Sequence, residues 1–114
     1  MIIEVRTYHV KPGQRDRFLE FFHRHAVPLQ QSCGMRVMGP FVDLEDADVF
    51  HWLRAFPSLE ARDRLKDALY EGPAWKNELE AIAMPMLARY TSALTTTLPG
   101  FVNDLTDLQP ATGG

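Results

Sequence analysis

The first 33 residues change their period once, and that change fixes the class of fold open to the chain. Residues 2–10, Ile-Ile-Glu-Val-Arg-Thr-Tyr-His-Val, alternate: Ile3, Val5, Thr7 and His9 share one phase, and Ile2, Glu4, Arg6, Tyr8 and Val10 the other. A period of two belongs to a strand, whose successive side chains leave opposite faces. Lys11-Pro12-Gly13 ends it. From Gln14 to Cys33 the period becomes helical, at about 100° per residue. Phe18, Leu19, Phe21, Phe22, Ala26, Leu29 and Cys33 then fall in one broad arc, with Arg15, Asp16, Arg17, Glu20 and Arg24 largely opposite. Pro28 has no N–H to donate, which predicts a kink or early end there, and Gly34 predicts a C-terminal stop.

Residues 35–43 and 48–56 read as strands joined by the acidic segment Leu44-Glu45-Asp46-Ala47, a hairpin-like connection. The pair Gly39-Pro40 calls for an edge position or a bulge, because proline cannot donate to a ladder. Ser58 is placed to cap a helix running to Tyr70, and Gly72-Pro73 breaks it. A second helical piece spans Ala74–Leu87 with an interruption at Pro85, and Arg89–Leu98 is β-branched enough for a fourth strand. The order β-α-β-β-α-(α)-β predicts the α+β class: a ferredoxin-like βαββαβ unit with a four-stranded antiparallel sheet and helices on one face. Residues 1–98 are expected to form this domain. Residues 99–114 are expected to form a C-terminal tail, its first half packed on the body or on a neighbour and its end mobile.

Composition decides how many chains such a unit needs. At 114 residues the chain is one domain, and a domain of this size buries only about two-thirds of its unfolded surface. Hydrophobic residues make up 46%, and the strands carry large apolar groups in both phases, as at Phe50 and Trp52 beside Val49 and Leu53. Helices on one face leave the other to be covered, so a homodimer through the sheet faces is expected. The net charge of −3 and the lack of a basic run argue against nucleic acid or an anionic membrane as partner. A single cysteine, Cys33, allows no internal disulfide, and no Cys/His cluster has structural-zinc spacing. Charges at Glu4 and Arg6, where an export signal would be apolar, make a cytoplasmic location the expectation.

The run Glu4-Val5-Arg6-Thr7-Tyr8 with Lys11-Pro12-Gly13, then His25-Ala26-Val27-Pro28-Leu29, then Ser58-Leu59-Glu60-Ala61-Arg62 with Pro73-Ala74-Trp75, resembles the NIPSNAP family of the dimeric α+β barrel superfamily. The resemblance covers residues 2 to about 97 and lies in the order and spacing of these segments. One departure is at the end of the third strand. There the family commonly has a tryptophan two residues before an aromatic, and this chain has Arg54 before Phe56 with Trp52 displaced. The resemblance implies two ferredoxin-like chains joined through their sheets to form a dimeric α+β barrel, each keeping a pocket between sheet and helices. Relatives in the superfamily include cofactor-free monooxygenases, isomerases and haem proteins, so fold leaves the reaction open.

Several constellations could carry chemistry. Glu4, Arg6 and Tyr8 project to one face about 7 Å apart. An arginine between a carboxylate and a phenol could orient an anionic or enol substrate, with Tyr8 as proton donor, or Glu4 and Arg6 could simply pair across strands or across a dimer interface. His51 on a strand and His25 on the apolar helical arc are the histidines best placed to act as a general base, ahead of His9, although a lone histidine on an apolar face is more often structural. Phe50, Trp52, Arg54 and Phe56 form an aromatic wall with one cation, suited either to a flat aromatic molecule or, the preferred reading, to the dimer seam. Met35, Met38, Met84 and Met86 offer adaptable lining or plain core. Trp75 reads as a pin for the second helix.

The leading expectation is a homodimeric small-molecule enzyme, without metal or nucleotide cofactor, acting on a hydrophobic aromatic or polyketide-like substrate. Acid–base chemistry would drive monooxygenation, isomerisation or cyclisation, with His51, His25, Tyr8 and Arg6 catalytic and with Glu4, Arg54, Trp52, Phe50, Phe22 and Met38 holding the substrate. The alternatives are a non-catalytic ligand-binding or regulatory dimer and, third, a haem-binding protein.

Overall fold

The alternating opening segment forms β1 (Ile2–Val10), and the period change after it produces α1 (Arg15–Phe21), a π-helical turn (Phe22–Ala26) and α2 (Val27–Ser32) as one continuous helical arm. The computed structural model describes residues 1–100 of the chain. Strands β2 (Arg36–Val42) and β3 (Val49–Phe56) follow, then α3 (Leu59–Tyr70), a second π turn (Trp75–Leu79), α4 (Glu80–Ala83), a 3-10 turn (Met84–Met86) and β4 (Leu87–Thr96). The sheet is four-stranded in the order β2-β3-β1-β4 with antiparallel neighbours throughout, the ferredoxin-like α+β arrangement. Of the tail expected over residues 99–114, residues 101–114 lie outside the described residues. Among the described residues no helix is long and apolar enough to cross a membrane.

Local chemistry accounts for the boundaries. Ser58 Oγ accepts the Ala61 amide at 3.0 Å and caps α3. Gly34, at φ +97, closes the first helical arm. The irregularity expected at Pro28 falls before it: the Val27 amide donates to the Phe22 carbonyl, and Pro28 sits in the first turn of α2, where a missing N–H costs little. Gly39-Pro40 lies both on the edge strand and at a register shift. Gly39, at φ +112, faces the Trp52 backbone so closely that an added Cβ would stand 3.2 Å from Trp52 Cα. The acidic connection is organised by Asp43 Oδ1, which accepts the amides of Glu45 and Asp46. Arg15 Nη1 clasps it from α1, donating to the carbonyls of Asp43, Asp46 and Val49.

Register decides which phase of each strand is inside. Glu4 stands opposite Arg54, Arg6 opposite Trp52, and Tyr8 opposite Phe50. This is the face on which the helices pack: Phe22 lies 4.9 Å from Trp52 and 5.6 Å from Phe50 between ring centroids, and Phe18 lies 5.5 Å from Phe50. Phe50, Trp52, Arg54 and Phe56 are therefore buried within the chain itself, which overturns their preferred reading as a dimer seam. Glu4 and Arg6, although charged, lie in this phase and are buried with it. Met38 pairs with Leu53 on the opposite face, so it does not join Trp52 and Arg54 as lining. Behind α3, Met35, Phe56 and Leu69 form a second small core with Cys33 packed against it.

The opposite face of the sheet carries no helix. Val5 and Phe41 stand exposed on it, and Val5 pairs with Leu53. Strand β4 is exposed along its length after Leu87. Even on the helix-facing side the cover stops short of it, leaving Tyr90 and Leu94 about half exposed.

Candidate functional site

The site grows from one buried carboxylate. Glu4 Oε1 accepts from Arg54 Nε at 2.6 Å and from Arg6 Nη1 at 3.1 Å, and Arg62 Nε of α3 donates to Oε2. Burial alone would push this carboxyl up; the guanidinium groups on it, Arg54 foremost, outweigh that and hold it below the ordinary carboxylate range. Arg54 is wholly buried, and its Nη1 donates to Gln30 Oε1 and to the Tyr70 hydroxyl, both at 3.1 Å. Arg6 Nη2 donates to the Tyr8 hydroxyl at 3.2 Å and Nη1 to Ser92 Oγ at 3.3 Å. Burial raises the Tyr8 phenol above its usual range even though Arg6 beside it pulls the other way, so Tyr8 is a neutral O–H at physiological pH.

Arg6, Tyr8 and Arg54 form the floor of a cavity of about 230 Å³ between the sheet and the helical layer. Its walls are aromatic and aliphatic, with Phe18, Phe22, Trp52, Tyr70, Trp75 and Tyr90 among them. Both arginines are stacked on these rings: the Arg6 guanidinium carbon lies 5.2 Å from the Trp52 ring and 5.0 Å from Tyr90, and that of Arg54 lies 5.5 Å from Trp52. Three buried donors, Arg6 Nε, Trp52 Nε1 and Arg54 Nη2, find no acceptor among the described residues. Each such group costs about 1–3 kcal/mol when left unpaired.

The expected site residues divide into three places. Arg6, Tyr8, Trp52, Arg54 and Phe22 come together at the cavity, while Glu4 and Phe50 lie behind its floor. His25 does not reach it. The π turn over Phe22–Ala26 widens the helical period, rotating His25 out of the apolar arc to an exposed position on a separate shallow depression. His51 faces the other side of the sheet, where its Nε2 lies 2.8 Å from Asp43 Oδ2 and its Nδ1 3.0 Å from Thr7 Oγ1. His51 is thus separated from Arg6 and Tyr8 by the sheet. His9 lies in the same outward phase. A haem can be held by a single axial histidine, and none lines the cavity, so the residues present do not supply that ligand. Among the described residues no group of three or more His, Cys, Asp or Glu could hold a metal ion.

Sequence reading missed Gln30, Arg62 and Tyr70. Gln30 follows Phe22 and Ala26 at helical spacing, so a polar residue on the buried stripe was the available signal. Trp75, read as a structural pin, packs edge-on against Tyr70 at 5.5 Å and lines the cavity as well.

Fold and site together define a ferredoxin-like α+β domain enclosing an aromatic-walled cavity with buried cations at its floor. The NIPSNAP family model matches residues 3–99, and the chain belongs to the NIPSNAP family. No curated protein matches it. Among solved structures it is similar to an uncharacterised NIPSNAP domain protein from Burkholderia xenovorans. That likeness has 19% identity, covers 89% of this chain and 98% of that one, and has a TM-score of 0.79. Protein Atu4242 from Agrobacterium tumefaciens matches at 21% identity over 91% of this chain and 100% of that one, with a TM-score of 0.80. More distantly, a putative antibiotic biosynthesis monooxygenase from Nitrosomonas europaea shares the fold, at 15% identity, coverage of 86% and 99%, and a TM-score of 0.62.

Proposed function

We propose that the chain is a small-molecule enzyme, working without a metal or nucleotide cofactor on a hydrophobic aromatic or polyketide-like substrate held in this cavity. The observation that carries the reading is the placement of Arg6 beside Tyr8 in an aromatic-walled cavity. The Arg6 charge polarises a substrate carbonyl and stabilises the enolate drawn from it, and Tyr8, kept protonated by its burial, supplies a proton. With no histidine at the cavity, the substrate proton leaves to water, and the nearby cations favour its loss. The enolate then isomerises, cyclises or meets dioxygen. The architecture shared with a putative antibiotic biosynthesis monooxygenase agrees with the last of these.

The proposed working unit is a homodimer, with a second copy covering the helix-free sheet face around Val5, Leu53 and Phe41. A cytoplasmic location fits a chain whose single cysteine forms no disulfide. The test incubates the protein in air with polycyclic phenols and 1,3-diketones while dioxygen uptake and product mass are followed. Substrate-dependent turnover that falls more than about tenfold in Tyr8→Phe and Arg6→Gln supports the reading. The second reading, a non-catalytic ligand-binding dimer, is favoured by the lack of any histidine or carboxylate among the cavity-lining residues. A ligand that binds and is recovered unchanged would establish it instead.

A further inference from the structure

We infer that the molecule this cavity takes is a monoanion: an apolar, aromatic or polyketide-like body carrying one carboxylate already ionised in solution. The inference rests on the cavity being a small-molecule site and names the class of molecule it selects.

The charge balance carries the argument. Arg6, Arg54 and Arg62 all donate to the single carboxylate of Glu4. Arg62 has a second carboxylate in Asp63, 3.3 Å away at the surface. Among the described residues Arg6 and Arg54 share Glu4 alone, two buried cations on one buried anion, a surplus of one positive charge beneath the cavity. No Asp or Glu is among the residues lining the cavity, whereas Lys66 is. Buried charge without a partner is costly, and a ligand bearing one negative charge cancels this surplus.

Hydrogen-bond chemistry points the same way. The unpartnered buried atoms at the floor, Arg6 Nε, Trp52 Nε1 and Arg54 Nη2, are all donors. They call for an acceptor, which a neutral hydrocarbon does not bring. Arg6 is the group placed to meet it, since its side chain keeps slight exposure at the cavity, while Arg54 is fully enclosed and acts through its charge. The rings around them remove the anion from water, which strengthens its attraction to the guanidinium groups. A carboxylate matches the planar fork of an arginine in two contacts. The aromatic walls accept the remainder of the molecule.

Calorimetric titration of the full chain with 2-naphthoate and with 2-naphthamide, equal in shape and differing in charge, tests the inference. We expect 2-naphthoate to bind roughly tenfold more tightly or better, and to raise the melting temperature more at equal concentration. Arg6→Gln is expected to abolish the preference and Arg6→Lys to keep most of it; the melting comparison on the unaltered protein serves if the glutamine variant does not fold. Equal or tighter binding of the amide overturns the inference and leaves the cavity's role as a small-molecule site standing. Binding of neither compound overturns both.

Discussion

Glu4 and Arg54 face each other across β1 and β3, and Arg54 Nε donates to Glu4 Oε1 at 2.6 Å with both side chains fully enclosed. The pair ties the sheet to the helical layer, because Arg54 goes on to Gln30 and Tyr70 while Arg62 reaches down to the same carboxylate. Removing one partner of a buried ion pair strands the other. Glu4→Gln should therefore lower the unfolding free energy by about 3–5 kcal/mol. Urea denaturation measures this, and a loss below about 1 kcal/mol would show that the arginines do not depend on Glu4.

Outside the cavity, Asp43 is the group whose ionisation should be visible in stability. The His51 ring beside it and the amides of Glu45 and Asp46 lower its carboxyl from 3.8 to about 2. Its folded pKa lies below its unfolded value, so the stabilisation is complete above about pH 4 and is lost as pH falls through about 2. Thermal melts from pH 5 down to pH 2 should fall more steeply for the unaltered chain than for Asp43→Asn. Parallel curves would remove Asp43 from the acid response.

The cap on α3 is the simplest local test. Ser58 Oγ accepts the Ala61 amide at 3.0 Å, and Ser58→Ala leaves that donor to water. A loss of about 1 kcal/mol is expected, read from the shift in denaturation midpoint at unchanged slope.

How much of this was legible from residues alone depended on whether the cause was local. Strand and helix segments declared themselves by period, and Ser58, Gly34 and Gly39-Pro40 by their own backbone chemistry. The inside of the sheet did not, because β1 and β3 carry mixed polarity in both phases. Only the register that sets Glu4 against Arg54 and Tyr8 against Phe50, with Phe18 and Phe22 above, chooses between them. His25 was misplaced for a related reason: about 100° per residue holds for an α-helix, and the π turn in which it lies breaks that count. The contacts of Gln30, Arg62 and Tyr70 with the buried charges join elements far apart in the chain, and no local spacing encodes them.

The proposed dimer makes its own prediction. Val5 is exposed on the helix-free face and pairs with Leu53 there, so Val5→Asp places a charge at the centre of the surface a second copy would cover. Sedimentation velocity should show a dimer for the unaltered chain and a monomer for the variant. A monomer in both would remove the dimer from the proposal.

The π turn at Phe22–Ala26 gives the arm above the cavity one residue more than an unbroken α-helix of that length would hold. Such a turn behaves as a one-residue insertion that the helix has absorbed without changing its ends. A deletion there can be taken up by closing the turn to regular α-helix, which would rotate the side chains on one side of it by about 100° relative to those on the other. Phe22 lines the cavity at the start of that turn and Gln30 lines it beyond the end. Within a lineage, the gain or loss of a single codon at this point would re-aim half of the cavity's roof in one event while the sheet beneath kept its register.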